Sequence, residues 1–276
     1  MFDNLSEDTN PSLIKFEQML KTNQVLFFDA LEFENIIHHY IDFAQFNLAK
    51  KAIKMGMEQH PENVEIMLLK SELFLVDGSY NEAENILNDI ERISPEHEEI
   101  FLQRANIFSK KKNHPKAIEL LKKALNVCEE PTEIWNLLGM EYLFQEDYIK
   151  AKKYFHKCLK ENTFDYQSLY NLLYCFEQLG ENLEAIDTLN NLLEINPYSE
   201  VAWHQLGKIY IKINKPEEAL SAFEFAIISD DCYTSAYIEK GKLLEQMGRI
   251  NEAIANYKFS LNFNDPNAFV NHRIGL

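Results

Sequence analysis

The sequence has little of what membrane-spanning or secreted proteins need. Its 276 residues contain no apolar run long enough to cross a bilayer. The N-terminus has no basic stretch followed by an apolar segment of the kind that directs secretion. We therefore expect a soluble chain in the cytoplasm, with no membrane partner.

Cysteine is also scarce, and its spacing is uninformative for metal or redox chemistry. Three of the four cysteines lie within or beside apolar helical stripes, a pattern that favours buried thiols in a reducing compartment. The four are Cys128, Cys158, Cys175 and Cys232.

Catalytic motifs are missing as well. Phosphate-binding loops, zinc-protease helices, nucleophile elbows and zinc ribbons have no match in the chain. His38 and His39 are the nearest approach to a metal pair, but adjacent helical residues point about 100° apart and cannot easily share an ion. Paired carboxylates such as Glu98 and Glu99 fall in the first turns of helices, where they complement the helix dipole. We expect no enzyme active site, no metal and no cofactor.

Arginine is rare, and acidic side chains outnumber basic ones by 44 to 27, which gives a net charge of −17. This balance disfavours nucleic acid as a partner. The acidic excess is concentrated in residues 1–97, whereas lysines are dense between Lys110 and Lys160. Such a lysine-rich stretch is typical of a solvated helix face, and a functional role for it stays open.

What the chain does have is a repeat. Alanine recurs every 34 residues, and a fixed period of this length predicts a stack of helix–turn–helix units. The seven alanines are Ala49, Ala83, Ala117, Ala151, Ala185, Ala219 and Ala253.

The residues around each alanine follow one pattern. We number each repeat 1 to 34 with the alanine at position 20. The sixth repeat then has Trp203, Leu206, Gly207, Tyr210, Ala219, Phe223 and Ala226 at positions 4, 7, 8, 11, 20, 24 and 27. Positions 4, 7, 8 and 11 form one face of a first helix, and positions 20, 24 and 27 form one face of a second. Where two such helices cross closely, a small side chain is needed, which explains the residues at positions 8 and 20.

This pattern resembles the tetratricopeptide repeat over residues 30–267, as in non-enzymatic bacterial scaffold proteins. The resemblance implies an all-α fold, a right-handed α-solenoid superhelix of tandem helix–turn–helix repeats. Turn signals agree with it: Gly78, Gly180, Asn214 and Gly248 stand at position 15, just after the first helix, where a left-handed residue is favoured. Asn63, Asp165, Ser199 and Asn267 at position 34 can cap the next helix.

The period divides the chain into segments. Residues 1–29 form an N-terminal extension, in which Phe16 and Met19 belong to a short amphipathic capping helix. The last segment, residues 268–276, reads as the start of an eighth repeat, and we expect the natural protein to continue beyond it. The seven repeats between them are residues 30–63, 64–97, 98–131, 132–165, 166–199, 200–233 and 234–267.

The family resemblance implies that positions 2, 5, 9 and 12 of the first helices line an inner groove. In repeats one to three these positions are mainly acidic or apolar. From repeat four onward, the tyrosines of repeat five form an aromatic floor, and we expect the histidine and lysine of repeat six to be cations beside it. This mixture suits an extended peptide with a carboxylate or other acidic group. The alternative is that long side chains merely cover the inner helix faces. The candidate peptide-binding residues are Asn136, Met140, Tyr170, Tyr174, His204, Lys208 and Lys242.

Family members that clamp the C-terminal carboxylate of heat-shock chaperones have Lys at position 5 and Asn at position 9 of one repeat. No repeat of this chain combines them, which argues against a chaperone clamp. We therefore expect a non-catalytic scaffold or adaptor that binds a protein or peptide. One alternative is the recruiting arm of a longer protein whose further part is enzymatic or regulatory. Another is self-association through an uncapped C-terminal end.

Overall fold

The computed structural model describes residues 11–22, 25–261 and 268–275, and every regular element in these ranges is a helix. In chain order the helices are α1 Pro11–Thr22, α2 Ala30–Asp42, α3 Phe46–Gln59, α4 Val64–Val76, α5 Tyr80–Ile93, α6 Glu98–Lys110, α7 His114–Ala124, α8 Thr132–Phe144, α9 Tyr148–Glu161, α10 Tyr166–Leu179, α11 Asn182–Ile195, α12 Glu200–Lys212, α13 Pro216–Ser229, α14 Thr234–Gln246, α15 Ile250–Leu261 and α16 Ala268–Ile274. None of these described helices is long and apolar enough to cross a membrane.

The first helices, α2, α4, α6, α8, α10, α12 and α14, begin at the residues where the seven repeats begin. All seven position-20 alanines lie in second helices and are buried. Position 8 is equally crowded in repeats six and seven: a Cβ built on Gly207 would lie 2.5 Å from Cε1 of Phe223, and one on Gly241 would lie 2.5 Å from Cε1 of Tyr257. Small residues at positions 8 and 20 therefore let the two helices of a hairpin approach each other.

The turn inside each hairpin has one conformation throughout. Position 15 has a positive φ in all seven repeats, whether it is a glycine or not. In six of them the N–H of position 16 donates to the carbonyl of position 11, and the N–H of position 15 donates to that of position 12. This is the Schellman pattern of a helix C-terminus. The residues are Ala44, Gly78, Lys112, Glu146, Gly180, Asn214 and Gly248.

Helix starts are capped by side chains where the sequence offers them. Asn63, Asp165 and Ser199 each accept a hydrogen bond from the backbone N–H three residues further along. Asp29 and Glu32 form a reciprocal capping box at the start of α2. Asn267, which the sequence predicts as another cap, lies outside the described residues.

The chain divides into two compact units, and the division falls inside the fourth repeat, after Gln145. In the first unit, α1 covers the outer side of α2: Phe16 and Met19 are buried with Phe28, Phe33 and Tyr40. This packing supplies the terminal cover that a repeat stack needs.

The second unit starts at Glu146 and comprises α9 to α16. At its far end Phe223, Leu243 and Tyr257 form a buried cluster with Val270 of α16. The short helix α16 therefore covers the last complete hairpin of the described chain.

Candidate peptide-binding site

Three of the predicted site residues line one cleft in the second unit. Tyr170 and Tyr174 come from positions 5 and 9 of α10, and Lys208 comes from position 9 of α12. Because first helices of successive repeats lie side by side, residues at equivalent positions face the same space. The cleft measures about 200 Å³, and we call it the tyrosine–lysine cleft. Its other lining residues are Leu173, Phe176, Glu177, Asn182, Ala185, Gln205, Ile209 and Lys212.

The two tyrosines are accessible to a ligand. Tyr170 is 40% exposed and Tyr174 is 47% exposed. The ring of Tyr174 meets that of Tyr148 edge to face, with centroids 6.1 Å apart. The side chain of Tyr170 interacts with that of Tyr233 and helps to raise its pKa. Both rings are therefore held by neighbours while part of each surface stays open, as an aromatic anchor requires.

The charges of the cleft are only partly paired. Lys212 forms an ion pair of 2.6 Å with Glu177. Lys208 is exposed and has no ion pair with any residue that the structure describes. Its ammonium group is thus available to an acidic group placed beside the tyrosines.

His204 does not line the cleft and does not supply the positive charge that we expected from it. It is only 7% exposed, and its ring packs against Phe223 and Tyr233. Burial, with a further contribution from Lys208, lowers the pKa of His204 to about 4. The hydroxyl of Tyr233 lies 3.5 Å from its Nδ1. His204 is therefore a neutral buried side chain at physiological pH, and the prediction of a cation there is wrong.

The remaining predicted residues lie elsewhere. Lys242 on α14 pairs with Glu239 at 2.7 Å, and its ammonium group lies 5.0 Å from the ring centroid of Phe269. Asn136 and Met140 are half-buried on α8, in the first unit. The structure thus brings together Tyr170, Tyr174 and Lys208, and it connects His204 to Tyr170 through Tyr233.

Two residues that matter to this site were not predicted. Tyr233, at position 34, links Tyr170 to His204, and burial together with Tyr170 raises its pKa. Lys212, at position 13, lines the cleft with its partner Glu177. The family pattern assigns neither position to the groove, so the signal lay only in their chemistry.

Within the described ranges, one group of three potential metal ligands lies close enough to share an ion. It consists of Asp230, Asp231 and Cys232, which follow α13 directly. The thiol of Cys232 lies 3.4 Å from a carboxylate oxygen of Asp231. The group is at the surface, and exposed acidic residues commonly cluster without a metal.

Comparison with known proteins agrees with this fold. Residues 57–226, more than half of the chain, match the model of the family described as ChAPs (Chs5p-Arf1p-binding proteins). Residues 234–263 match that of the tetratricopeptide repeat.

Two curated proteins are similar in sequence to parts of this chain. The chain is 28% identical over 140 residues to anaphase-promoting complex subunit 3 of Schizosaccharomyces pombe, which covers 51% of the chain and 21% of that protein. It is 22% identical over 233 residues to BBSome complex member BBS4 of Bos taurus, which covers 84% of the chain and 45% of that protein. The chain therefore spans less than half the length of either relative.

A solved structure supports the fold alone. A tetratricopeptide repeat protein from Parabacteroides merdae superposes with a TM-score of 0.51 and 16% identity, covering 89% of this chain and 97% of that one. The predicted all-α repeat architecture is confirmed. The chain belongs to the tetratricopeptide repeat proteins and, by its match over residues 57–226, to the ChAPs family.

Proposed function

We propose that this chain is a non-catalytic scaffold that binds an extended peptide segment of a partner protein in the tyrosine–lysine cleft. The segment carries a carboxylate or another acidic group. Two relatives are named as members of multiprotein complexes, which supports a scaffold role. The observation that carries the proposal is the combination of two half-open tyrosine rings with the unpaired ammonium group of Lys208.

The chemistry of the cleft defines what fits. Tyrosine offers a large contact area with few rotatable bonds to immobilise, so an extended peptide can lie across Tyr170 and Tyr174. Lysine attracts an anion without the planar fork of arginine, so Lys208 selects an acidic group without fixing its orientation. Neutral His204 is connected to the cleft through Tyr233, which interacts with Tyr170.

We also propose that the scaffold works in the cytoplasm, without nucleic acid or membrane as a partner. All four cysteines are free thiols, and Cys158 and Cys175 are buried. Free buried thiols suit a reducing compartment.

The test uses a library of extended peptides displayed with free carboxyl ends. Peptides retained by the wild-type chain should be enriched in acidic residues or should depend on the terminal carboxylate. For those peptides, the double substitution Tyr170→Ala with Lys208→Ala should weaken binding by about 2 kcal/mol or more, roughly thirtyfold. Isothermal titration calorimetry measures the loss.

The matched control removes the same side-chain types outside the cleft. Tyr198 is 72% exposed, and Lys160 is also at the surface of the second unit. Tyr198→Ala with Lys160→Ala should leave the affinity unchanged. Equal losses in both double variants, or no loss in the cleft variant, would show that the peptide binds elsewhere.

A further inference from the structure

The first unit has a second groove, with the opposite charge. Glu65, Glu99 and Glu133 stand at position 2 of α4, α6 and α8. Together with Glu34 of α2 and Glu72 of α4 they line two adjoining clefts, of about 370 and 270 Å³. Both clefts share Glu72, Glu99 and Gln103. We call these five glutamates and Gln103 the acidic groove.

Among the residues that the structure describes, no ammonium or guanidinium group lines either cleft of the acidic groove. Arg104, on the same helix as Glu99, is directed to the opposite side, where it pairs with Glu84 and Glu91 at 2.9 Å each. Among the described residues, the only ion pair of the five glutamates is that of Glu65 with His97, at 3.4 Å. Four of the five carboxylates therefore lack a cationic partner in this part of the chain.

Other titratable groups also surround the groove, and two of them, His38 and His97, partly oppose the raised pKa values of its glutamates. The buried Glu141 on α8 already has a partner, since its carboxylate lies 2.8 Å from Nδ1 of His114. The remaining groups that face the groove or act on it are Asp29, His38, Asp42, His97 and Glu98.

The carboxylates of the groove repel one another electrostatically. Burial, with smaller contributions from Glu133 and Glu72, raises the pKa of Glu99 to about 7, although a hydrogen bond from Gln103 opposes the shift. Burial also raises the pKa of Glu72, and burial with Glu65 raises that of Glu34. Like charges held together at a half-buried surface cost free energy, which a bound cation would recover.

Gln103 provides an observation that is independent of the charges. It is 6% exposed, and its Nε2 donates to the carbonyl of Leu68 and to Oε1 of Glu99, at 3.2 Å each. Its Oε1 is buried and accepts no hydrogen bond from any described residue. A buried acceptor without a donor costs free energy, which an N–H group entering the groove would recover.

The spacing argues for a peptide and against a metal ion. In the described ranges, no three potential ligand atoms of the groove lie close enough together to share a metal ion. Neighbouring helices lie about 8–10 Å apart. An extended peptide advances about 3.3–3.6 Å per residue, so about three of its residues span the distance between two neighbouring helices. Glutamates at position 2 of successive first helices can therefore contact peptide side chains about three residues apart.

We propose that the acidic groove binds an extended peptide segment with arginine or lysine at about every third residue. The cationic side chains pair with Glu65, Glu99 and Glu133 in turn, and Glu72 and Glu34 add to the field from α4 and α2. A peptide N–H or guanidinium N–H donates to Oε1 of Gln103. This binding surface is separate from the tyrosine–lysine cleft and takes a ligand of the opposite charge.

The probe is a fluorescently labelled peptide of repeated Arg-Gly-Gly units, with the same peptide bearing Glu for Arg as its counterpart. Fluorescence anisotropy should show that the full chain binds the arginine peptide and not the glutamate peptide. The substitutions Glu72→Gln and Glu99→Gln together should weaken binding of the arginine peptide about tenfold or more. Since they remove like-charge repulsion, we expect the variant to unfold at the same or a higher temperature, so misfolding does not mimic the loss.

The matched control is Glu62→Gln with Glu96→Gln, which removes the same charge from exposed positions of the same unit outside both clefts. It should change the affinity less than about twofold. Equal weakening by both pairs would reduce the binding to the net charge of the chain and overturn the proposal, as would unchanged binding in the groove variant. Tyr170→Ala with Lys208→Ala should have no effect on this probe, so the two proposals fail or succeed separately.

Discussion

The Cβ atom that Gly207 lacks would lie 2.5 Å from Cε1 of Phe223, and two further atoms of the same ring lie within 2.9 Å of that point. Phe223 is fully buried, so its ring has no room to turn away. The crossing of α12 and α13 therefore depends on the missing side chain.

This contact predicts that Gly207→Ala destabilises the chain, although alanine is the better helix former. The overpacked crossing should cost roughly 1–3 kcal/mol of unfolding free energy in urea. Ser221→Ala, at an exposed position of α13, is the control and should be close to neutral. A Gly207→Ala protein as stable as the wild type would mean that the two helices can separate at no cost.

Glu99 should make the stability of the chain fall as pH rises. Its pKa is raised from about 4.5 to about 7, so between these values the folded state binds more protons than the unfolded state. The penalty is absent below pH 4.5 and complete above pH 7. Glu99→Gln should leave stability unchanged in acid and increase it by roughly 1–3 kcal/mol above neutrality.

The measurement is urea unfolding of the wild type and of Glu99→Gln across this range. Glu96→Gln, at an exposed residue of the preceding loop, provides the reference. If the difference between Glu99→Gln and the wild type does not change with pH, Glu99 is not held in a half-buried, like-charged site.

His204 should make the stability of the chain fall as pH decreases. Its pKa is lowered from about 6.5 to about 4, so in this window the unfolded state binds more protons than the folded state. Stability is therefore complete above about pH 6.5 and is lost as pH falls toward 4. In His204→Gln the slope of unfolding free energy against pH should be smaller between these values, whatever the substitution does at neutral pH. An unchanged slope would contradict the burial of the imidazole.

Ala44 should be improved by glycine. It holds φ at 54°, in the left-handed region that costs an L-residue about 1–2 kcal/mol. Ala44→Gly should raise the unfolding free energy by about 1 kcal/mol, because relief of this strain outweighs the extra freedom of glycine in the unfolded chain. The reverse change at the equivalent position, Gly78→Ala, should lower it by a similar amount. Thermal unfolding of both variants tests the pair, and a loss of stability in Ala44→Gly would contradict the turn conformation.

Much of the fold could be predicted because its determinants are local and periodic. The alanine at position 20 marks every crossing, and a small residue at position 8 marks five of the seven, with Ile37 and Leu173 as the exceptions. The first helices begin where the period places them. Gly78, Gly180, Asn214 and Gly248 predict four of the left-handed turns. Ala44, Lys112 and Glu146 adopt the same conformation without any such signal, since the geometry of the hairpin imposes it.

The candidate site was less accessible from the sequence. A position number places His204 on the inner face, but its burial depends on Phe223 from the next helix and on Tyr233 from the following loop. The sequence also does not show that the side-chain oxygen of Gln103 accepts no hydrogen bond from any described residue. That depends on the folded positions of Leu68 and Glu99, which accept hydrogen bonds from its amide nitrogen. Side-chain environments made by three elements at once are not encoded in a linear pattern.

The left-handed turn at position 15 also bears on how the array opens. Stability in a repeat array is close to a sum of local terms, so a turn that holds a residue with a Cβ in this conformation lowers the free energy needed to open its own hairpin. The hairpins that turn at Ala44, Lys112 and Glu146 bear this conformational cost, and those that turn at Gly78, Gly180 and Gly248 do not. Amide hydrogens around the first three should exchange with solvent sooner, so the order of local opening along the chain follows the chemistry of a single residue per repeat.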